Sequence, residues 1–158
     1  MTYESDQHTA HSPTATESDQ ASQQMGRMLN DFVDQVPGVT HALLVGRDGL
    51  TLVSSDVHKD WADKWAATLG SLASLAESIP GPRGGNQGLK LTLIEREDAL
   101  ILVSIAGTSA AFPHRDGTVD TVLGVIADPG ASAGTVGYEM SRLVERFAPY
   151  MVAAVRSM

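Results

Sequence analysis

The stretch VPGVTHALLVGRDGLTLVSSD, residues 36–56, decides how this chain folds. Two apolar runs flank the turn Gly46-Arg47-Asp48-Gly49, which is a strong hairpin signal. Residues 39–45 are rich in branched aliphatic side chains suited to a pleated, half-buried surface. Asp48-Gly49 supplies residues that tolerate positive φ, and Leu50 and Leu52 resume the extended pattern. No side chain in the hairpin is an evident nucleophile or phosphate holder, so function must come from what surrounds it.

Upstream, Met25, Met28, Leu29, Phe32, Val33 and Val36 fall at helical spacing over residues 24–35, and Pro37-Gly38 stops the run. Residues 1–24 are Ser, Thr, Gln, Asp and Glu with one aromatic, Tyr3. They carry too little apolar area to offset the entropy of ordering, so a disordered acidic tail is expected before a folded domain over 25–158. Within the tail ESDQ occurs twice, at 4–7 and 17–20; it reads as low complexity, with docking or phosphorylation as the alternative.

Downstream, residues 60–78 form a second expected helix, with Asp60 and Asp63 favouring its N-terminal end. Trp61, Trp65, Leu69, Leu72, Leu75, Ala76 and Ile79 make its apolar face, while Ala62, Ala66, Ala67, Gly70, Ala73 and Ser74 keep the other sides small. Small residues permit close approach of another backbone. The breaker-dense PGPRGGNQG loop (80–88) leads to an alternating strand, 89–95, with Leu89, Leu91 and Leu93 on one face and Lys90, Thr92 and Ile94 on the other. That strand reads as peripheral. Residues 99–106 (ALILVSIA) are apolar on both faces, which requires cover above and below and predicts a central strand. A fifth strand, 122–127, follows a 107–121 loop longer than a tight hairpin needs. Residues 135–148 give a last amphipathic helix, with Val136, Met140, Leu143 and Phe147 inward and Glu139, Arg142, Glu145 and Arg146 outward. Pro149 predicts a kinked continuation into 150–158.

At 158 residues and 42% hydrophobic content, the chain supports one core. Half of the net charge of -8 lies in the first 23 residues, so tail and body are both acidic. Scattered basic residues on an acidic body suit neither nucleic acid nor anionic lipid. The absence of cysteine excludes disulfides and thiolate zinc sites and fits a cytoplasmic setting. No apolar run approaches the ~20 residues needed to span a bilayer, so a membrane is expected to be met only through partners.

The element order, together with QVPGV at 35–39, GRDGLTLVSSD at 46–56 and VGYEMSRLVER at 136–146, resembles the roadblock family, of the dynein light chain type. The similarity is to the MglB-like bacterial branch, which accompanies a Ras-like GTPase and, in actinobacterial operons, a sensor-kinase-like protein. It covers residues 25–156, and its motifs mark structural positions, not a catalytic signature. It implies an α+β, profilin-like sandwich: a five-stranded antiparallel sheet with the second helix on one face and the first and third on the other. It also implies a homodimer made by pairing the third strands edge to edge and the second helices side by side. On this chain that maps to Trp65, Ala66, Leu69, Gly70 and Ala73 of the helix and Leu89, Leu91, Thr92 and Leu93 of the strand. Trp61, Lys64 and Thr68 are then the expected contacts for a Ras-like small GTPase. The 107–121 insertion departs from the tight turn of similar proteins, and its role does not carry over.

Reactive chemistry finds little footing. Gly84, Gly85 and Gly88 near Lys90 lack the G-x-x-x-x-G-K-[ST] spacing, and a strand follows them where a helix is required. His114, Arg115 and Asp116 read as a turn before they read as a metal or general-base site. His41 and His58 read as packed or surface residues. Ser54, Ser55 and Ser104 have no G-x-S-x-G context. Arg83, Arg96 and Arg115 are candidate arginine fingers, though in the family stimulation is understood to act by reshaping the GTPase's own site. No catalytic residue, metal or cofactor is expected. The leading expectation is a non-enzymatic dimeric adaptor that binds and regulates a Ras-like GTPase. The alternatives are a profilin- or PAS-like sensory domain with a small-ligand pocket, and a nucleotide-indifferent scaffold for kinase and GTPase.

Overall fold

The hairpin of residues 36–56 forms one side of a five-stranded antiparallel sheet. The computed structural model describes residues 2–85, 88–112 and 117–151, with the side chains of 2–16 and 18 left aside. In chain order the elements are α1 (Thr2–Gln35), β1 (Val39–Gly46), β2 (Thr51–Ser54), α2 (Lys59–Ser78), β3 (Thr92–Glu95), β4 (Leu100–Ser109), β5 (Val119–Ala127) and α3 (Ala133–Met151). The hairpin turn closes with Gly49 N–H donating to Gly46 O and Gly46 N–H to Leu50 O, both at 2.9 Å. Only Gly49 takes positive φ there, at 85°; Asp48 instead accepts from Leu50 N–H through its side chain at 3.2 Å.

Alternation along the strands sorts side chains into two layers. Leu44, Leu102, Leu123 and Val125 face α1 and α3, where Met25, Leu29, Phe32, Met140, Leu143 and Phe147 complete the larger core. Each such buried side chain contributes about 1.5 to 3 kcal/mol, so this layer dominates the hydrophobic stabilisation. Leu43, Val45, Val103 and Val122 face the other way and meet α2. The inward residues of α3 are those that its 3.6-residue period predicts, and the helix continues through Pro149 to Met151.

Several expectations are adjusted. The first helix is not confined to 24–35: it runs back to Thr2, Ala21 is only 4% exposed, and the Ser22 hydroxyl donates to Ala111 O at 3.4 Å. Polar composition opposed burial there, not helicity, and Ala21 extends the inward stripe of Met25, Leu29 and Phe32 by one turn. In the sheet order β2-β1-β5-β4-β3, β4 is an interior strand covered on both faces, as its composition requires, and β5 lies in the middle. The regular part of β3 is Thr92–Glu95, shorter than 89–95. Leu89 lies before the regular strand and packs against the α2 layer, while Leu91 lies beside Gly137 of α3. Finally, the two ends of the 107–121 segment extend the β4–β5 hairpin, because Gly107 pairs with Thr121, Thr108 with Asp120 and Ser109 with Val119. Ala111 and Phe112 then tuck into the core, and Ser109 Oγ and Ala110 N–H both donate to Met151 O, at 3.1 and 3.2 Å. The His114, Arg115 and Asp116 cluster and residues 152–158 lie outside the described residues.

Candidate functional site: the outer face of α2 and the β3 edge

Helix α2 starts at Lys59, one residue before Asp60, because His58 caps it: its Nδ1 accepts from Asp60 N–H at 3.2 Å. Lys59 and Asp63 pair at 2.6 Å one turn apart, and the Thr51 hydroxyl of β2 donates to Ala62 O at 3.2 Å. Farther along, Arg47 of the hairpin turn reaches Glu77 at 2.6 Å. That bond raises the Arg47 pKa and lowers that of Glu77, so both stay charged across the neutral range.

The residues facing the sheet are Ala62, Ala66, Leu69, Gly70 and Ala73. A Cβ on Gly70 would lie 3.0 Å from Gly46 O and 3.2 Å from Arg47 O, so the helix rests almost directly on the hairpin turn. Gly124 in β5 leaves the space into which Leu69 projects. The small residues therefore admit the chain's own sheet, not a second copy. Ala66, Leu69, Gly70 and Ala73 are buried within the chain and are removed from the expected dimer contact.

Reversing the inward face turns the large residues outward. Trp61, Leu75 and Ile79 are 56%, 66% and 70% exposed. With half-buried Trp65 and Leu72 and exposed Thr68 they form a seam spaced alternately four and three residues apart, the period of helices that pack against a partner helix. Leu75 and Ile79 belong to the site and were legible as part of the apolar stripe; their orientation was not. Trp65 sits 4.9 Å from the His41 ring and 6.0 Å from Trp61. Lys64 Nζ lies 5.2 Å from the Trp61 ring, and the Thr68 hydroxyl donates to Lys64 O at 3.2 Å. Trp61, Lys64 and Thr68, the expected partner contacts, thus share one accessible surface.

Beyond this helix runs the edge strand β3, paired on one side only, with β4. Leu91 and Leu93 are each 42% exposed there; Thr92 and Leu89 are half-buried. Of the candidate fingers, Arg96 is tied to Asp98 at 2.7 Å and Arg83 is exposed in the loop after α2. Among the described residues that loop bonds to itself through Gly84 N–H to Gly81 O and Gly81 N–H to Gly85 O, so these two donors are taken within the loop. Among the described residues no helix is long and apolar enough to cross a membrane.

Comparison with known proteins places this architecture. No curated protein sequence matches the chain. Among solved structures, the crystal structure of a Roadblock/LC7 domain from Streptomyces avermitilis is 32% identical with a TM-score of 0.69, over 80% of this chain and 97% of that one. MglB in a tetrameric arrangement superposes with a TM-score of 0.68 at 18% identity, over 85% and 92% of the two chains. The gliding protein MglB of Thermus thermophilus does so with 0.66 at 17% identity, over 83% and 90%. The model of the Roadblock/LC7 domain family matches residues 25–112. With sheet order, helix placement and sequence in agreement, the chain belongs to the Roadblock/LC7 domain family.

Proposed function

We propose that this protein is a homodimeric, non-enzymatic adaptor that binds a Ras-like small GTPase and regulates its nucleotide state within a bacterial signalling complex. The observation that carries the reading is the exposed four-three seam of α2, beside an edge strand that exposes two further leucines. A lone domain gains nothing from presenting such surfaces to water, and free sheet edges invite pairing. Joining two copies through β3 continues the sheet and brings the α2 flanks carrying Leu72 and Ile79 together, in the manner of an isologous two-fold contact. Trp61, Lys64 and Thr68 then remain for the GTPase. Likeness to MglB structures supports the reading at the level of fold, and a sensor-kinase-like protein is a further member of the proposed complex. A sensory domain is less well supported: the space between the sheet and α2 is filled by Leu43, Val45, Leu69, Val103 and Val122.

The test is a titration of the full chain with a Ras-like GTPase of the same genome, loaded with GDP or with a non-hydrolysable GTP analogue. Binding that prefers one nucleotide state, weakened by Trp61→Ala, is the expected result. Equal binding to both states would reassign the protein as a nucleotide-indifferent scaffold, and binding to neither refutes the proposal.

A further inference from the structure

Where β2 hands over to α2, a surface pocket of about 490 Å³ opens, lined by His41, Asp56, Val57, His58, Trp61 and Trp65. Three of its rings run in sequence: His41 against Trp65, with planes tilted by 56°, and Trp65 against Trp61, tilted by 36°. Burial lowers the pKa of His41, and its Nδ1 is engaged with Thr40 Oγ1 at 3.0 Å, so this wall is a neutral ring at physiological pH. Asp56 lines the pocket with its backbone N–H held by Asn30 Oδ1 at 2.8 Å, which ties the backbone at this point to α1. Among the described residues no cation pairs with that carboxylate. Lys59, the basic side chain on the first turn of α2, is engaged by Asp63. The helix end itself is answered by the His58 cap and by Asp60, whose carboxylate is 3.9 Å from His58.

Electron-rich ring faces beside an unpaired carboxylate form an environment that favours a cation. Beside the pocket, Lys64 Nζ already lies over the Trp61 ring. A planar guanidinium suits the remaining space better than an ammonium does: it is less strongly hydrated, stacks on an indole face, and presents paired N–H donors to a carboxylate. We infer that this pocket receives an arginine side chain of the bound partner, stacked on the Trp61 and Trp65 rings and hydrogen-bonded to Asp56. The inference rests on the reading of α2 as the partner-binding face and specifies its chemistry. It also explains why an acidic protein exposes a large tryptophan next to an acid that, among the described residues, no basic group neutralises.

The chain has only two tryptophans, and both line this pocket, so intrinsic fluorescence reports on it directly. The probe is N-acetyl-L-arginine amide, with N-acetyl-L-citrulline amide as a neutral control of the same shape. A saturable spectral change is expected with the arginine probe, and about tenfold weaker binding of the citrulline probe, which corresponds to a partly desolvated cation–π contact. Asp56→Asn, at an exposed site, is expected to weaken arginine binding several-fold without altering the circular dichroism spectrum. Trp61→Ala is expected to abolish it, with Trp65 left as reporter. Indistinguishable midpoints for the two probes, or arginine binding unchanged in Asp56→Asn, overturn the inference. If the GTPase binds while the arginine probe does not, this inference falls and the adaptor reading stands. If the probe binds while the GTPase does not, the cation pocket stands and the adaptor reading falls.

Discussion

Gly70 sets how close α2 can come to the hairpin turn, and replacing it separates two physical effects of opposite sign. A Cβ at this position meets three backbone atoms, Gly46 O at 3.0 Å and Arg47 O and Gly49 Cα at 3.2 Å each. The turn has little freedom to yield: it is held by Gly46 N–H to Leu50 O, by Arg47 N–H to Asp120 O at 3.1 Å, and by the Arg47–Glu77 bond. On helix propensity alone, Gly70→Val gains about 0.3 kcal/mol, because glycine is the poorer helix former. Packing opposes this, since two methyl groups extend beyond a Cβ that is already crowded, and overpacking of this kind costs about 1 to 3 kcal/mol. The net expectation is a loss of about 0.7 to 2.7 kcal/mol, which for a chain of this length, at about 3 °C per kcal/mol, lowers Tm by about 2 to 8 °C. Thermal unfolding followed by circular dichroism, at one fixed protein concentration, measures it. Ser71→Val on the adjacent, exposed position provides the control and is expected to stay within about 0.5 kcal/mol of wild type. A Gly70→Val protein that melts at or above the wild-type temperature would show that α2 does not rest on the turn as described.

Two further outcomes follow from the same contacts. Leu93→Lys places a charge on the exposed face of β3 and is expected to convert the proposed dimer to a monomer in light scattering while leaving the melting profile cooperative; an unchanged mass would exclude β3 from the interface. Glu77→Gln removes a partly exposed ion pair worth up to about 1 kcal/mol at neutral pH. Because the folded-state pKa of Glu77 lies below its ordinary value of 4.5, that stability is present above this pH and is lost as pH falls through the folded value. The gap between wild type and variant in urea unfolding should therefore close below about pH 4.5, and a gap that persists in acid would assign the effect to packing.

The hairpin and the inward face of α3 were legible because each shows one unambiguous period and is set off from the element before it by strong breakers, Pro37-Gly38 and Asp128-Pro129-Gly130. The orientation of α2 was not. Its large residues and its small ones each form a helical stripe, and size alone suggests that the large stripe goes inside. What reverses it is tertiary: the approach of Gly70 to the turn and the space that Gly124 leaves for Leu69 are fixed by elements far apart in sequence. The same limit applies to β5, whose central place depends on β1 pairing with it across the whole length of α2, β3 and β4. Leu91 and Leu93 alternate correctly, yet alternation does not say that Leu89 leaves the strand to join the α2 layer.

Two disjoint sets of residues share α2, one locked against the sheet and the other facing solvent. Trp65 and Leu72 of the outer set also pack against the core, but the exposed members are not part of it, so the effects of substituting these on stability are expected to be small and additive with those inside. Such a helix can drift in partner preference through Trp61, Thr68, Leu75 and Ile79 without being purged for misfolding. Duplicated copies of this domain would be free to acquire separate partners while keeping one scaffold, and recognition could evolve at a rate that the fold does not limit.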